Sequence, residues 1–213
     1  MFTTYSTLKD LAKHTQSALK LENTPFKYCF PYNPRKSEDL YWLSNGDKPA
    51  FPYKKIFFQH APHGFNVGLH IEKGFEHDLD KKKERLTSKW DWNHFILQLR
   101  QGALEEFCRE LESDQATLSI DLPPLAQQKT GYQIQFSLNP FACQQNLNSK
   151  NPLFHLQQAN SGVDIANAIQ KIPSREFYWI DFWIVLKVER KTNETEQVSD
   201  ELIQTLVKMT ALF

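Results

Sequence analysis

From Phe65 to Glu72 the chain alternates strictly: Phe65, Val67, Leu69 and Ile71 are apolar, with Asn66, Gly68, His70 and Glu72 between them. A period of two marks a strand with one buried face, so the second set shares the opposite face whatever the tertiary fold. Lys55 to Gln59 reads as its partner strand, joined across Ala61-Pro62-His63-Gly64. Tyr41 to Leu43 reads as a short strand with Asn45-Gly46-Asp47 as its turn. Thr117 to Leu122 and Tyr132 to Leu138 add two more. Glu176 to Lys191 is the longest strand of all.

Helical spacing takes over elsewhere. Leu8, Leu11, Ala12, Thr15, Ala18 and Leu19 fall on one face, with Ser6 as N-cap. Asp91 to Leu111 carries the stripe Trp92, Phe95, Ile96, Leu99, Ala103, Phe107 and Leu111, which predicts one long helix. Ser161 caps a helix to Ile172 with Asp164 at its third position, and Ser199 caps another to Phe213, where Val198 can staple onto Ile203. The Pro-rich stretch around Pro25, Pro31 and Pro34 reads as loop, and so does the Asn- and Gln-rich stretch from Asn139 to Asn160. The expected fold class is α+β: a mostly antiparallel or mixed sheet covered by about four helices. With no linker-like shift in composition and no repeat, residues 1–213 read as a single globular domain.

Composition narrows the function classes. Lysine plus arginine equals aspartate plus glutamate at 25 each, so the net charge is zero. Proteins that grip long nucleic acid nonspecifically carry a basic excess, so nucleic acid is not the favoured partner. The basic-aromatic run Lys81 to Arg85 with Lys89, Trp90 and Trp92 is offset by Glu76, Asp78, Asp80 and Glu84. There is no run of eighteen apolar residues, hence no membrane helix, and Lys9, Asp10, Lys13 and His14 argue against a signal peptide. Cys29, Cys108 and Cys143 form no CxxC pair, which fits a reducing, cytoplasmic setting. Sequence signatures of nucleotide loops, serine hydrolases and zincins are absent.

Candidate chemistry concentrates in one stretch. His60, His63, His70 and His77 lie within eighteen residues, among Glu72, Glu76, Asp78 and Asp80. Such groups bind divalent metal ions or move protons near neutral pH. Strand arithmetic breaks the cluster up, because His63 and His70 stand more than about 20 Å apart along an extended chain. The part that survives is His70 with Glu72, roughly 6.5 to 7 Å apart on one strand face, a span one metal ion could bridge. The alternative is a solvated strand face.

A second candidate closes the long strand. Glu189-x-Lys191 resembles half of the PD-(D/E)xK nuclease pattern, in which a carboxylate holds a metal ion and the lysine acts on the attacking water. The resemblance implies a second acid from another strand, and Asp121, after Leu118-Ser119-Ile120, is the better placed. Asp181 is excluded as that partner by about 26 Å of strand. The competing account is an edge strand protected by its charges.

Two functions follow. The favoured one is a non-catalytic interaction or binding module with a protein partner, anchored by aromatics such as Trp42, Tyr53 and Trp90. The alternative is a metal-dependent nuclease or phosphodiesterase using Asp121, Glu189 and Lys191, with a divalent metal ion as cofactor.

Overall fold

The computed structural model describes residues 4–5, 8–24, 26–33, 37–45, 54–62, 64–73, 89–111, 116–122, 130–172, 180–189, 196–197 and 200–213. In chain order the elements are β1 (Thr4–Tyr5), α1 (Leu8–Leu21), β2 (Tyr28–Asn33), β3 (Ser37–Ser44), β4 (Lys55–Ala61) and β5 (Gly64–Lys73). Then come α2 (Lys89–Arg100), α3 (Ala103–Glu110), β6 (Ala116–Leu122), β7 (Tyr132–Leu138), β8 (Phe141–Cys143) and a 3-10 turn at Phe154–Leu156. The chain closes with α4 (Gly162–Ile169), β9 (Ile180–Glu189), β10 (Glu196–Gln197) and α5 (Asp200–Leu212).

Eight of the strands form one sheet in the order β2–β3–β4–β5–β9–β6–β7–β8, and β1 pairs with β10 apart from it. Among the described residues every pairing is antiparallel and there are five α-helices where about four were expected, so the fold is α+β. The decisive step is β9, which returns from late in the chain to lie between β5 and β6. Parity then sorts the sheet into two faces.

One face is apolar and meets the helices. Leu43, Ile56, Phe58, Leu69, Phe182 and Phe136 all belong to the core, as do Leu8, Leu11 and Leu19 of α1. Helix α1 packs on β3 and β4, while α2 and α5 pack on β5. Phe95 of α2 meets Phe182 of β9 at 4.8 Å between ring centroids, and Phe213 at 5.7 Å. Burying each such side chain contributes about 1.5–3 kcal/mol. Of the residues that the helical stripes and strand faces place inside, Phe107, Ile134, Ile184, Leu186 and Leu206 are buried too, whereas Leu202 is only partly covered.

Three local expectations are corrected. The single helix over Asp91–Leu111 is two, α2 and α3, because Gly102 adopts a left-handed φ of 87° that no continuous α-helix accommodates. The proline-rich loop contains β2, whose Pro31 is compatible with a strand at the sheet margin. The Asn- and Gln-rich loop contains β8 and the 3-10 turn. Other expectations hold at the cap of α4 and at the β4–β5 hairpin, although α4 ends at Ile169 and not at Ile172. Ser161 Oγ accepts the Asp164 N–H at 3.0 Å, and Asp164 Oδ2 in turn accepts the Asn160 N–H at 3.1 Å. The β4–β5 hairpin pairs His60 with Phe65 and Gln59 with Asn66, and Gly64 takes a φ of 142° where it leaves the turn. Ser6, Gly46, Asp47, Val198 and Ser199 lie outside the described residues, as does the stretch 176–179.

Candidate metal centre

The second face of the sheet carries charge. In an antiparallel sheet, residues directly opposite one another share a face with Cβ atoms about 4.5–5.5 Å apart. Glu72 of β5 stands opposite Asp181 of β9, and Asp181 stands opposite Asp121 of β6. The adjoining row runs Lys55 of β4, His70 of β5, Trp183 of β9 and Ser119 of β6. Five ionisable groups from four neighbouring strands therefore occupy two adjacent rows.

Their side chains meet along the diagonals. Lys55 Nζ lies 2.8 Å from Glu72 Oε1, and His70 Nε2 lies 3.0 Å from Asp181 Oδ1. Ligand atoms of His70, Glu72 and Asp181 all fall within 4.8 Å of one another. Asp121 Oδ1 accepts from Ser119 Oγ at 2.5 Å and from Gln133 Nε2 at 3.0 Å.

Aromatic rings wall the cluster. The His70 imidazole stacks on Trp183 at 3.9 Å between centroids, and Trp42 closes on both rings at 5.1 and 5.7 Å. Phe57 meets Trp183 edge-on at 5.1 Å. The Lys55 ammonium also sits 5.4 Å from the centre of the Trp42 ring, a cation–π distance. Gly68 makes room for this wall. A Cβ there would run into the Ile184 carbonyl and touch the Phe57 ring.

Burial gives the charges their weight. Lys55, His70 and Glu72 are all buried. Burial pushes the Glu72 carboxyl above its ordinary range, against the pull of Lys55 and His70. Burial also raises Asp121, opposed by the hydrogen bonds from Ser119 and Gln133 and reinforced by the charge of Asp181. Lys55 thus shares the two rows with three carboxyl groups, those of Glu72, Asp181 and Asp121. His70 Nδ1 is buried and takes no hydrogen bond among the described residues. Buried polar atoms are normally satisfied, and this nitrogen is an exception among the described residues.

The residues singled out by sequence fare differently. His70 and Glu72 do share a face, and the fold adds Asp181 and Lys55 to them. Asp121 and Glu189 do not come together: Asp121 is opposite Asp181 at one end of β9, and Glu189 is opposite Gly64 at the other. About 26 Å of strand separates the two ends, too far to share an ion. Lys191 lies outside the described residues, as do His63, His77, Glu76, Asp78, Asp80 and the run Lys81–Arg85. His60 is exposed at the hairpin end, remote from His70. Trp42 is 2% exposed and so cannot serve as a surface anchor. Tyr53 lies outside the described residues, and Trp90 is described in its backbone alone. Asp181 is too far along β9 to share an ion with Glu189, and strand alternation sets it on the same face as Trp183. No sequence signal paired that face with the face of His70.

No protein-family model, curated protein or solved structure matches this chain.

Proposed function

We propose that this chain is a binding module built around a divalent cation, held by His70, Glu72 and Asp181. The observation that carries this reading is the convergence of one imidazole and two carboxylates, from two paired strands, to within 4.8 Å. An ion bonded at about 2.0–2.3 Å holds its ligands up to roughly 4.6 Å apart, so small side-chain rotations close the set. A divalent ion would also place positive charge beside the Glu72 carboxyl, whose ionised form burial disfavours. Titration calorimetry with Mn²⁺ and Zn²⁺, beside metal analysis of the purified protein, tests it. One ion per chain is expected, with binding lost in Asp181→Asn and His70→Ala. Absence of any bound ion overturns the reading.

A second reading has its own support. Lys55 lies hydrogen-bonded to a proposed metal ligand, and Asp121 extends the acidic row, a combination suited to metal-dependent phosphodiester hydrolysis. In it a divalent ion held by His70, Glu72 and Asp181 would supply Lewis-acid activation of water, and Lys55 would add positive charge beside it. Cleavage of DNA or RNA with Mn²⁺, abolished by Asp181→Asn, is the expected result. Ion binding without cleavage leaves the module non-catalytic.

Partner and location stay with these proposals. Leu21, Tyr28, Leu97 and Val163 are the exposed large apolar side chains described, and they support a protein partner more than Trp42 does. Three unpaired, half-buried cysteines support a reducing compartment such as the cytoplasm. Among the described residues no helix is long and apolar enough to cross a membrane.

A further inference from the structure

We infer that the His70–Glu72–Asp181 site selects a nitrogen-accepting transition-metal dication, of the Mn²⁺, Fe²⁺, Co²⁺ or Zn²⁺ class, over Mg²⁺ and Ca²⁺. The inference rests on the cation-site reading above and specifies which ion that site takes.

The donor set is the first ground. Mg²⁺ and Ca²⁺ take oxygen ligands, and imidazole adds little to their binding. First-row transition ions bind imidazole and carboxylate together. Two carboxylates offer at most four oxygens here, short of the six to eight that Ca²⁺ collects.

Burial is the second ground. The His70 and Glu72 side chains keep only 5% and 6% of their exposure. Mg²⁺ gives up its water reluctantly and holds several molecules when bound to protein. A site this withdrawn offers such a hydrated ion little room. An ion that gains a nitrogen bond recovers more of its dehydration cost.

Preorganisation is the third. The imidazole is clamped against Trp183 at 3.9 Å and flanked by Trp42 at 5.1 Å, so its ring plane is set before an ion arrives. Nε2 and Asp181 Oδ1 are 3.0 Å apart. An octahedral ion with bonds of about 2.1 Å sets adjacent ligands roughly 3.0 Å apart. An ion at this spacing would take the Nε2 lone pair without moving β5 or β9, the imidazole then being neutral with its one proton on Nδ1.

Lys55 sharpens the selection. Its ammonium sits 2.8 Å from Glu72 Oε1 and repels any incoming cation. Ions held by charge alone suffer this repulsion in full. A nitrogen bond offsets it only for ions that accept nitrogen.

The test is calorimetric titration of the full chain with MnCl₂, ZnCl₂, MgCl₂ and CaCl₂ in separate runs. Mn²⁺ and Zn²⁺ should bind tighter than Mg²⁺ and Ca²⁺ by at least about tenfold. His70→Asp, an all-oxygen set, should narrow or reverse that preference. Pulsed EPR of the wild-type Mn²⁺ complex should show coupling to an imidazole nitrogen, a readout that stands even where the variant does not fold. Mg²⁺ binding as tightly as Mn²⁺, or a Mn²⁺ spectrum without nitrogen coupling, overturns the inference and leaves the cation site intact. Failure of every ion to bind overturns both.

Discussion

The Lys55 ammonium and the Glu72 carboxylate, on neighbouring strands, are 2.8 Å apart with side chains 2% and 6% exposed. Neither charge can be left alone at such burial, because a single ion stripped of water costs several kcal/mol. The pair is therefore a mutual dependence, and it sits against the groups proposed to hold the cation.

That dependence is measurable. Glu72→Ala, which strands Lys55, should destabilise the protein by about 3–5 kcal/mol in urea unfolding. Replacing both residues, Lys55→Met with Glu72→Leu, should return most of that loss, since apolar pairs of similar volume often match a buried ion pair. The double variant should still bind no cation. A single variant costing under about 1 kcal/mol would mean that Lys55 reaches water, and the buried-pair account would go.

Gly68 bears on the same face. Its Cα side meets the Ile184 carbonyl and the Phe57 ring so closely that a Cβ has no room. Gly68→Ala should therefore cost about 1–3 kcal/mol or more, with the β5–β9 pairing disturbed. A wild-type melting temperature for this variant would show that the strands separate more easily than their packing implies. Loss of cation binding should accompany the loss of stability, because Glu72 and His70 depend on the same pairing for their position against Asp181.

A third expectation concerns pH. The half-buried Cys108 thiol is pushed up to about 11, first by burial and then by the charge of Glu105. The folded chain thus keeps this proton where the unfolded chain, with an ordinary thiol, has released it. Stability from this source is fully present below about pH 9 and is lost as the pH rises through about 11. Thiolate absorbance of the folded protein should show a late step that Cys108→Ser removes. Alkylation of Cys108 at pH 8 should be much slower in the folded than in the urea-unfolded protein. Equal rates would place this thiol in ordinary solvent.

Much of the local structure was legible because it rests on period and caps. The stripe from Leu8 to Leu19 became α1, and Ser161 capped α4 as its spacing with Asp164 required. Where one residue overrode the period, the reading failed. Gly102 split a continuous helical stripe, since the stripe records which face is apolar and says nothing of a left-handed turn between two helices. The strands β2 and β8 were hidden by Pro31 and by a run of polar residues, because margin strands need little apolar alternation to pair on one side.

The site divides along the same line. Alternation alone put His70 and Glu72 on one strand face, and Asp181 and Trp183 on one face of another, because successive side chains of any strand point oppositely. Only the tertiary structure decided that these two faces are the same one. Strand pairing between residues more than a hundred positions apart depends on the packing of the whole sheet, and no local pattern encodes it. The register that sets Glu72 against Asp181 is what turned two separate polar faces into a single cluster. The same register places Asp121 beside Asp181 and leaves Glu189 at the far end of β9.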